Sequence, residues 1–485
     1  MTAISDPADD SLPAPAAART VYAHPTQVTT IRMMHDPNSP APNWLTSSPL
    51  LPRTQQNEAL YYVNGPDTYK AMHEAILTAT SNDHYIYIAG WFLSDGLPLK
   101  PGDPTSTIKE LFKAADGKGV QIRALFWKNL VPSTLGGALG GALGTTPAKN
   151  KSEMDTINAL PNDSAAILDN RTTIAGAHHQ KILVVHGSAG LFGFCGGVDI
   201  NTDRMPPPTG FLYDVHCRYR GPAAGDLVKV FVERWKDHPD RVALEKKPNR
   251  RPLLGDPPKL TFGVGRQQVQ VVRTYGDGVY SFAKPGVYEI WNQLKEAIPR
   301  AKKFIYLENQ YFVAEALGQL LAKAVPNVRH ITCVIQSAPD LEGGYAYTKK
   351  LVETMEKAPG GADKVRVFAI PPSGASPPTK IEYVHSKTFI IDDEVAIVGS
   401  ANGNRRGYTC DSECVAGIED AGRSDRPSLR FAHRLRIRLW AYHLDLDTPT
   451  GHAELLDGVA SVARWINLPA GAKVAPWKPM IATWI

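Results

Sequence analysis

The chain runs to 485 residues, 43% hydrophobic and 21% charged, with 53 Lys and Arg against 48 Asp and Glu for a net charge of +5. Such a length exceeds a single hydrophobic core and predicts two compact units or one large pseudo-symmetric one, while the composition excludes fibrous, disordered and membrane-spanning chains. The small basic excess favours anionic partners such as phosphate esters or acidic lipid surfaces only mildly.

The N-terminal stretch MTAISDPADDSLPAPAAART has acidic residues and prolines where a secretory signal has a basic start and an apolar core, so Sec export is not expected. The expected location is cytoplasmic or peripheral to a membrane, with signal-independent export left open. Residues 1–55, rich in Pro, Ala, Ser and Asn without apolar periodicity, read as an extended arm. The cysteines (Cys195, Cys217, Cys333, Cys410, Cys414) are few and odd in number, which argues against a disulfide framework. Cys410 and Cys414 lack the second ligand pair of a zinc site, and neither a metal nor a cofactor is expected.

From Asn57 the pattern predicts a strand, a turn at Gly65 and Pro66, a helix and a buried strand Tyr85 to Ile88. A charged helix around Ile108 to Ala115 and a strand Val120 to Trp127 continue the alternation of an α/β fold. Leu130 to Lys149 contains the repeat LGGALGGALG without the GK[ST] ending of a phosphate loop, and reads as a linker or a mobile lid beside the site. Pro, Gly and basic residues from Glu245 to Lys259 mark a domain junction. The pattern then restarts with a strand Val269 to Tyr275, a helix through Tyr288 to Ile298 and a strand Phe304 to Phe312. The expected architecture is therefore an arm (1–55) and two pseudo-symmetric halves (56–250 and 251–485), each a mixed β-sheet flanked by helices.

Two segments repeat one another: AHHQKILVVH (Ala177 to His186) and VHSKTFIIDD (Val384 to Asp393). The second continues to GSAN, so that His385, Lys387, Asp392, Gly399, Ser400 and Asn402 make HxKxxxxDxxxxxxGSxN without a gap. In the first, His179 and Lys181 are followed by GGVD at Gly196 to Asp199. His186 stands where the second copy has Asp392, and the distance on to the glycines is longer by three residues, which suggests an expanded turn after the strand.

These motifs resemble the HKD motifs of the phospholipase D superfamily, in which two copies from two halves form one site. IYIAGWFLS (Ile86 to Ser94), IYLENQYF (Ile305 to Phe312), YDVHCRYRGPAA (Tyr213 to Ala224), FVERW (Phe231 to Trp235) and RLRIRLWAYHL (Arg434 to Leu444) extend the resemblance over most of the chain from residue 56. It implies a phosphodiesterase with its active site at the interface of the halves.

Cleaving a phosphodiester requires a nucleophile, an acid for the leaving alkoxide and fixed positive charge around the phosphoryl oxygens. Alternation along a strand puts His and Lys of HxK on one face, and imidazole titrates near neutrality, so two such motifs supply all three. The resemblance implies His179 as nucleophile, forming a phosphohistidine, and His385 as general acid and then base, the reverse remaining open. Lys181, Lys387, Asn402 and Ser400 would surround the phosphate, with Asp199 as the first half's counterpart of Asn402. Asp214 and Glu413 match the positions of the carboxylates that orient the histidines. His178, His186, His216 and His433 read as ordinary core or surface residues, and Glu308, Asn309 and Gln310 either line the pocket or hold a strand end.

The expected function is hydrolysis of phospholipid head groups with transfer of the phosphatidyl group to alcohols, the alternatives being a phosphatidyltransferase or a nuclease-like phosphodiesterase. A phospholipid substrate, peripheral membrane contact and a monomer are expected, and nucleic acid is not.

Overall fold

The computed structural model describes residues 45, 51–128, 146–173, 176–205, 212–254, 264–337, 344–371, 383–420 and 430–477. The strands are, in the first half, β1 Thr54–Val63, β2 Tyr85–Gly90, β3 Gln121–Trp127, β4 Ser164–Asp169, β5 Ile182–Gly187, β6 Gly190–Gly196, β7 Leu212–Tyr213 and β8 Val215–Arg220. The second half adds β9 Gln267–Tyr275, β10 Val287–Tyr288, β11 Phe304–Asn309, β12 His330–Ile335, β13 Val365–Ala369, β14 Tyr383–Val384, β15 Lys387–Ile391, β16 Val395–Gly399, β17 Glu413–Asp420 and β18 Ala475–Pro476.

One mixed sheet runs through both halves in the order β18-β13-β12-β11-β15-β16-β17-β9-β1-β8-β6-β5-β2-β3-β4. Read outward from the central β9–β1 pair, β17-β16-β15-β11-β12-β13 on one side mirrors β8-β6-β5-β2-β3-β4 on the other. The outer three strands of each half pair in parallel, and the inner ones are antiparallel.

The parallel strands β2, β3, β11 and β12 are rich in β-branched, aromatic and aliphatic residues and buried along their whole length because helices cover both faces. On one face, each half has its own helices: Gly65–Leu77 and Ile108–Asp116 pack over Ile86, Ile88 and Phe126, and Glu289–Ala297 and Glu315–Ala324 over Ile305, Leu307 and Ile331. The other face is a continuous core shared by the halves, closed by the long helices Pro222–Asp237 and Phe431–Leu444 through Phe231, Trp235, Leu439 and Trp440. Burying each such side chain stabilises the fold by about 1.5–3 kcal/mol. Sharing that core makes the halves one folded body.

Several expectations meet the structure differently. Gly65 and Pro66 form the first turn of a helix, since proline suits that position, and Arg204's carbonyl oxygen lies 2.4 Å from where a Cβ on Gly65 would sit. The glycine-rich stretch from Leu130 lies outside the described residues up to 145, and its end belongs to the helix Thr146–Asn158. Most of the arm is likewise outside them, although Leu45 and Leu51 are buried and β1 begins at Thr54. The expanded turn of the first motif is instead a lengthened hairpin: β5 and β6 make six cross-strand pairs around the two-residue turn Ser188–Ala189, whereas β15 and β16 make four around Asp392–Glu394. Among the described residues no helix is long and apolar enough to cross a membrane.

Candidate active site

Each HxK motif opens a strand at the centre of its half, and the residue before each histidine bridges in parallel to a segment of the other half. Val384 pairs with Tyr213, and His178 with Ser412. The backbone N–H of His385 then donates to Tyr213 O at 2.8 Å, as that of His179 does to Ser412 O at 2.9 Å. These short ladders bring the next residues, Asp214 and Glu413, onto the opposite half's histidine. Asp214 Oδ2 is 2.6 Å from His385 Nδ1, and Glu413 Oε1 is 3.0 Å from His179 Nδ1.

His179 Nδ1 also lies 3.1 Å from the carbonyl oxygen of Ser400. The carbonyl can only accept, so Nδ1 carries the proton and Nε2 keeps a lone pair. Ser400's hydroxyl donates to Glu413 Oε2 and to Cys414 O (3.2 Å), and so holds the carboxylate rather than facing a ligand. Lys181 Nζ is 3.0 Å from Asp199 Oδ2 and donates to His179 O at 3.0 Å. Asp199 Oδ1 accepts the backbone N–H of Trp91 at 3.0 Å, so this carboxylate fixes Lys181 beside the site. Lys387 Nζ is met by the neutral Gln310 Oε1 at 3.0 Å and lies 2.8 Å from His385 Nδ1. Asn402, 6% exposed, leaves Oδ1 without a hydrogen-bond partner.

Arg204 ties the two motifs together. Its guanidinium lies 3.6 Å from Asp199 Oδ2 and 3.5 Å from Asp214 Oδ2, linking Lys181's carboxylate to that of His385. Sequence reasoning missed Arg204, Arg406 and Trp91. Trp91 packs its ring edge-on against His179 (centroids 5.7 Å) with Lys181 Nζ 5.9 Å from its centroid. Arg406 pairs with Asp411 at 3.0 Å, and Asp411 accepts the N–H of Ala177. A signal was present: an arginine follows Asp199 by five residues and Asn402 by four.

Burial disfavours the charged forms of the two histidines, their two carboxylates and Lys387. It holds His179 well below the ordinary imidazole value, with Lys181, Lys387, Arg406 and Arg204 adding repulsion. His385 is lowered by burial and by Arg204, Lys387, Lys181 and His179, so the two imidazoles sense one another. Asp214 is pushed up to about 6 by burial, against the pull of Lys387 and Arg204, and burial and Asp411 push Glu413 well up. Burial also holds Lys387 well below the usual ammonium value.

The arrangement is two neutral imidazoles, each braced by a carboxylate, around a cluster of cations. An anion placed there would be held by the cations and would return protons to the histidines.

Comparison with known proteins gives a consistent picture. A family model described as "Cardiolipin synthase, PLD-like domain" matches residues 294–435. "Phospholipase D alpha 2" of Arabidopsis thaliana is 24% identical over 77% of this chain, and the chain spans 64% of that relative's length. "Phospholipase D1" of Schizosaccharomyces pombe is 29% identical over 51% of the chain and 22% of its own length. The solved phosphatidylserine synthase of Haemophilus influenzae superposes with a TM-score of 0.51 at 14% identity, covering 76% of this chain and 84% of that one, and so shares the fold. With the duplicated sheet, these matches make the chain similar to proteins of the phospholipase D superfamily.

Proposed function

We propose that the chain is a phospholipase D-type phosphodiesterase that cleaves phospholipid head groups through a phosphohistidine and passes the phosphatidyl group to water or a small alcohol. One observation carries this reading: two buried imidazoles, each held at Nδ1 by a carboxylate of the opposite half, flank a cluster that includes Lys181, Lys387 and Arg204. His179 Nε2 attacks phosphorus and the bond to the head-group oxygen breaks. His385 Nε2–H protonates that oxygen. His385 then takes a proton from water or alcohol, whose oxygen displaces His179. The diester's negative charge offsets the cations that depress His385, which supplies the acid form when substrate is bound. The lysines and Arg204 stabilise charge on the equatorial oxygens.

The lipid assignment draws on relatives named phospholipase D. A second reading, phosphatidyl transfer to a lipid alcohol, is favoured by the family match over residues 294–435. Both place the protein at a membrane surface as a peripheral binder. The test is the purified chain with mixed phospholipid vesicles, ethanol and, separately, DNA, with products resolved by mass spectrometry. Phosphatidic acid together with phosphatidylethanol is expected. DNA cleavage with every phospholipid intact would overturn the lipid reading.

A further inference from the structure

The residues just before the two catalytic histidines differ between the halves. At Val384 the link to Tyr213 is backbone alone, and strand β13 leads into apolar Ala369 and Ile370. At the equivalent place in the first motif stands His178, 1% exposed, and strand β4 ends in Asp169, which is fully buried. His178 Nε2 lies 3.1 Å from Asp169 Oδ1, and its Nδ1 is 2.9 Å from Ser412 Oγ. A carboxylate only accepts, so Nε2 carries the proton and Nδ1 accepts from the Ser412 hydroxyl. Asp169 is held in turn by Arg234 at 3.1 Å and by the Tyr280 hydroxyl at 3.1 Å, while Arg171 and His238 lie 3.6 and 3.8 Å away. Burial pushes His178 down to about 4, so it stays neutral here.

The clasp sits one residue from the chemistry on both strands. Ser412 precedes Glu413 and His178 precedes His179; Ser412 N donates to Ala177 O and His179 N to Ser412 O, both at 2.9 Å. A tilt of this short ladder would draw Glu413 away from His179 Nδ1, and misplacement of about 1 Å can cost roughly 100-fold in rate.

We infer that His178 is a positioning residue: the clasp Asp169–His178–Ser412 fixes the lead-in of the first motif against the strand bearing Glu413, and so holds His179 with its proton on Nδ1 and Nε2 free. His385 gains the same orientation from Asp214 without such a clasp. This makes the two pseudo-symmetric histidines unequal, and it rests on the reading of His179 as a reacting group.

The test uses the full chain with phosphatidyl-p-nitrophenol, alongside ¹⁵N-histidine spectra that report the His179 ring without turnover. His178→Val, which copies the second motif, and Ser412→Ala are each expected to lower kcat about 100-fold with KM within about threefold. The double variant should be no slower than the slower single one, because both remove one clasp. His178→Asn, which keeps an acceptor for Ser412, should recover part of the rate. In the spectra, the wild-type His179 should hold its Nδ1–H form and both variants should exchange between tautomers. Folded variants with unchanged kcat and unchanged His179 signals would overturn the inference, as would lost stability with those signals intact. If the wild-type chain cleaves no diester, the proposed function fails, and the ring signals alone decide the positioning role.

Discussion

Asp214, from the first half, meets His385, from the second, across 2.6 Å, and this contact is the pseudo-symmetric mate of the one between Glu413 and His179. Each half therefore orients the other's histidine, and in the proposed mechanism neither half would act alone. Replacing the carboxylate by its amide keeps the shape but lets the ring take the wrong tautomer. Asp214→Asn and Glu413→Gln are expected to lower kcat by about 10²–10⁴ with substrate binding within a few-fold. Steady-state kinetics on phosphatidyl-p-nitrophenol check this, and unchanged rates in both would remove the carboxylates from the mechanism.

A single methyl group should do similar damage at Gly197. A Cβ there would lie 1.9 Å from Asp214 Oδ1, which is fully buried and has no room to retreat. Gly197→Ala is expected to push the carboxylate off His385 and cut kcat by about 100-fold or more while the chain stays folded. A circular-dichroism melt beside the rate measurement distinguishes this from simple unfolding.

The glycine pair of GGVD was visible in the sequence, but its purpose was not, because Asp214 reaches it only through the pairing of β6 with β8. The same distinction runs through the whole site. Repeated HxK motifs and the restart of apolar strands in the second half can be read along the chain, since they are local patterns. Arg204 escapes such reading: it matters because it bridges Asp199 and Asp214, residues that strand pairing and the loop after β6 bring together. The three additional residues of the first motif could sit in a turn or in strands with equal ease by count, and only the register of β5 on β6 places them in the strands. His178 read as an ordinary core or surface residue because Ser412 and Tyr280 are far away in sequence and Asp169 reaches it only from the end of β4.

Asp392 has a structural part that its counterpart in the first motif, His186, lacks. Asp392 accepts the backbone N–H groups of Lys302, Lys303 and Phe304 at 2.7, 2.8 and 2.8 Å, from a turn where its own φ is 58°. His186 in the other hairpin makes a 3.3 Å contact to Asp83 O, stacks on Tyr85 and packs edge-on against His84. Asp392→Ala strands three donors and is expected to cost about 3 kcal/mol or more, while His186→Ala should cost about 1 kcal/mol or less. Urea unfolding measures both, and at temperatures where each variant is folded kcat should stay within a few-fold of wild type.

The depressed histidines predict a sign for proton linkage. Burial and the cations keep His179 and His385 neutral near pH 7. A bound anion offsets the cations, raises both imidazoles toward their ordinary value and so draws protons in. Sulfate, which does not itself titrate in this range, should therefore bind more tightly at pH 6 than at pH 8. Calorimetry in buffers of different ionisation enthalpy should show net proton uptake, and release or no exchange would contradict the charge cluster as the anion site.

The two histidines can finally be assigned by removing the need for an acid. p-Nitrophenolate leaves without a proton, so with phosphatidyl-p-nitrophenol the first step requires only the nucleophile. If His179 attacks, its Nε2 being free because Ser400 O and Glu413 both take the Nδ1 proton, then His385→Ala should release a stoichiometric burst of p-nitrophenol and stall. The stalled protein should carry the phosphatidyl group on His179, identifiable by peptide mass spectrometry after quenching at alkaline pH. His179→Ala should give neither burst nor adduct. Adding a small nucleophile that needs no base, such as azide, should release the adduct in His385→Ala, because what that variant lacks is deprotonation of water. The opposite pattern, a burst in His179→Ala with the adduct on His385, would exchange the roles of the two halves while leaving the two-motif site in place.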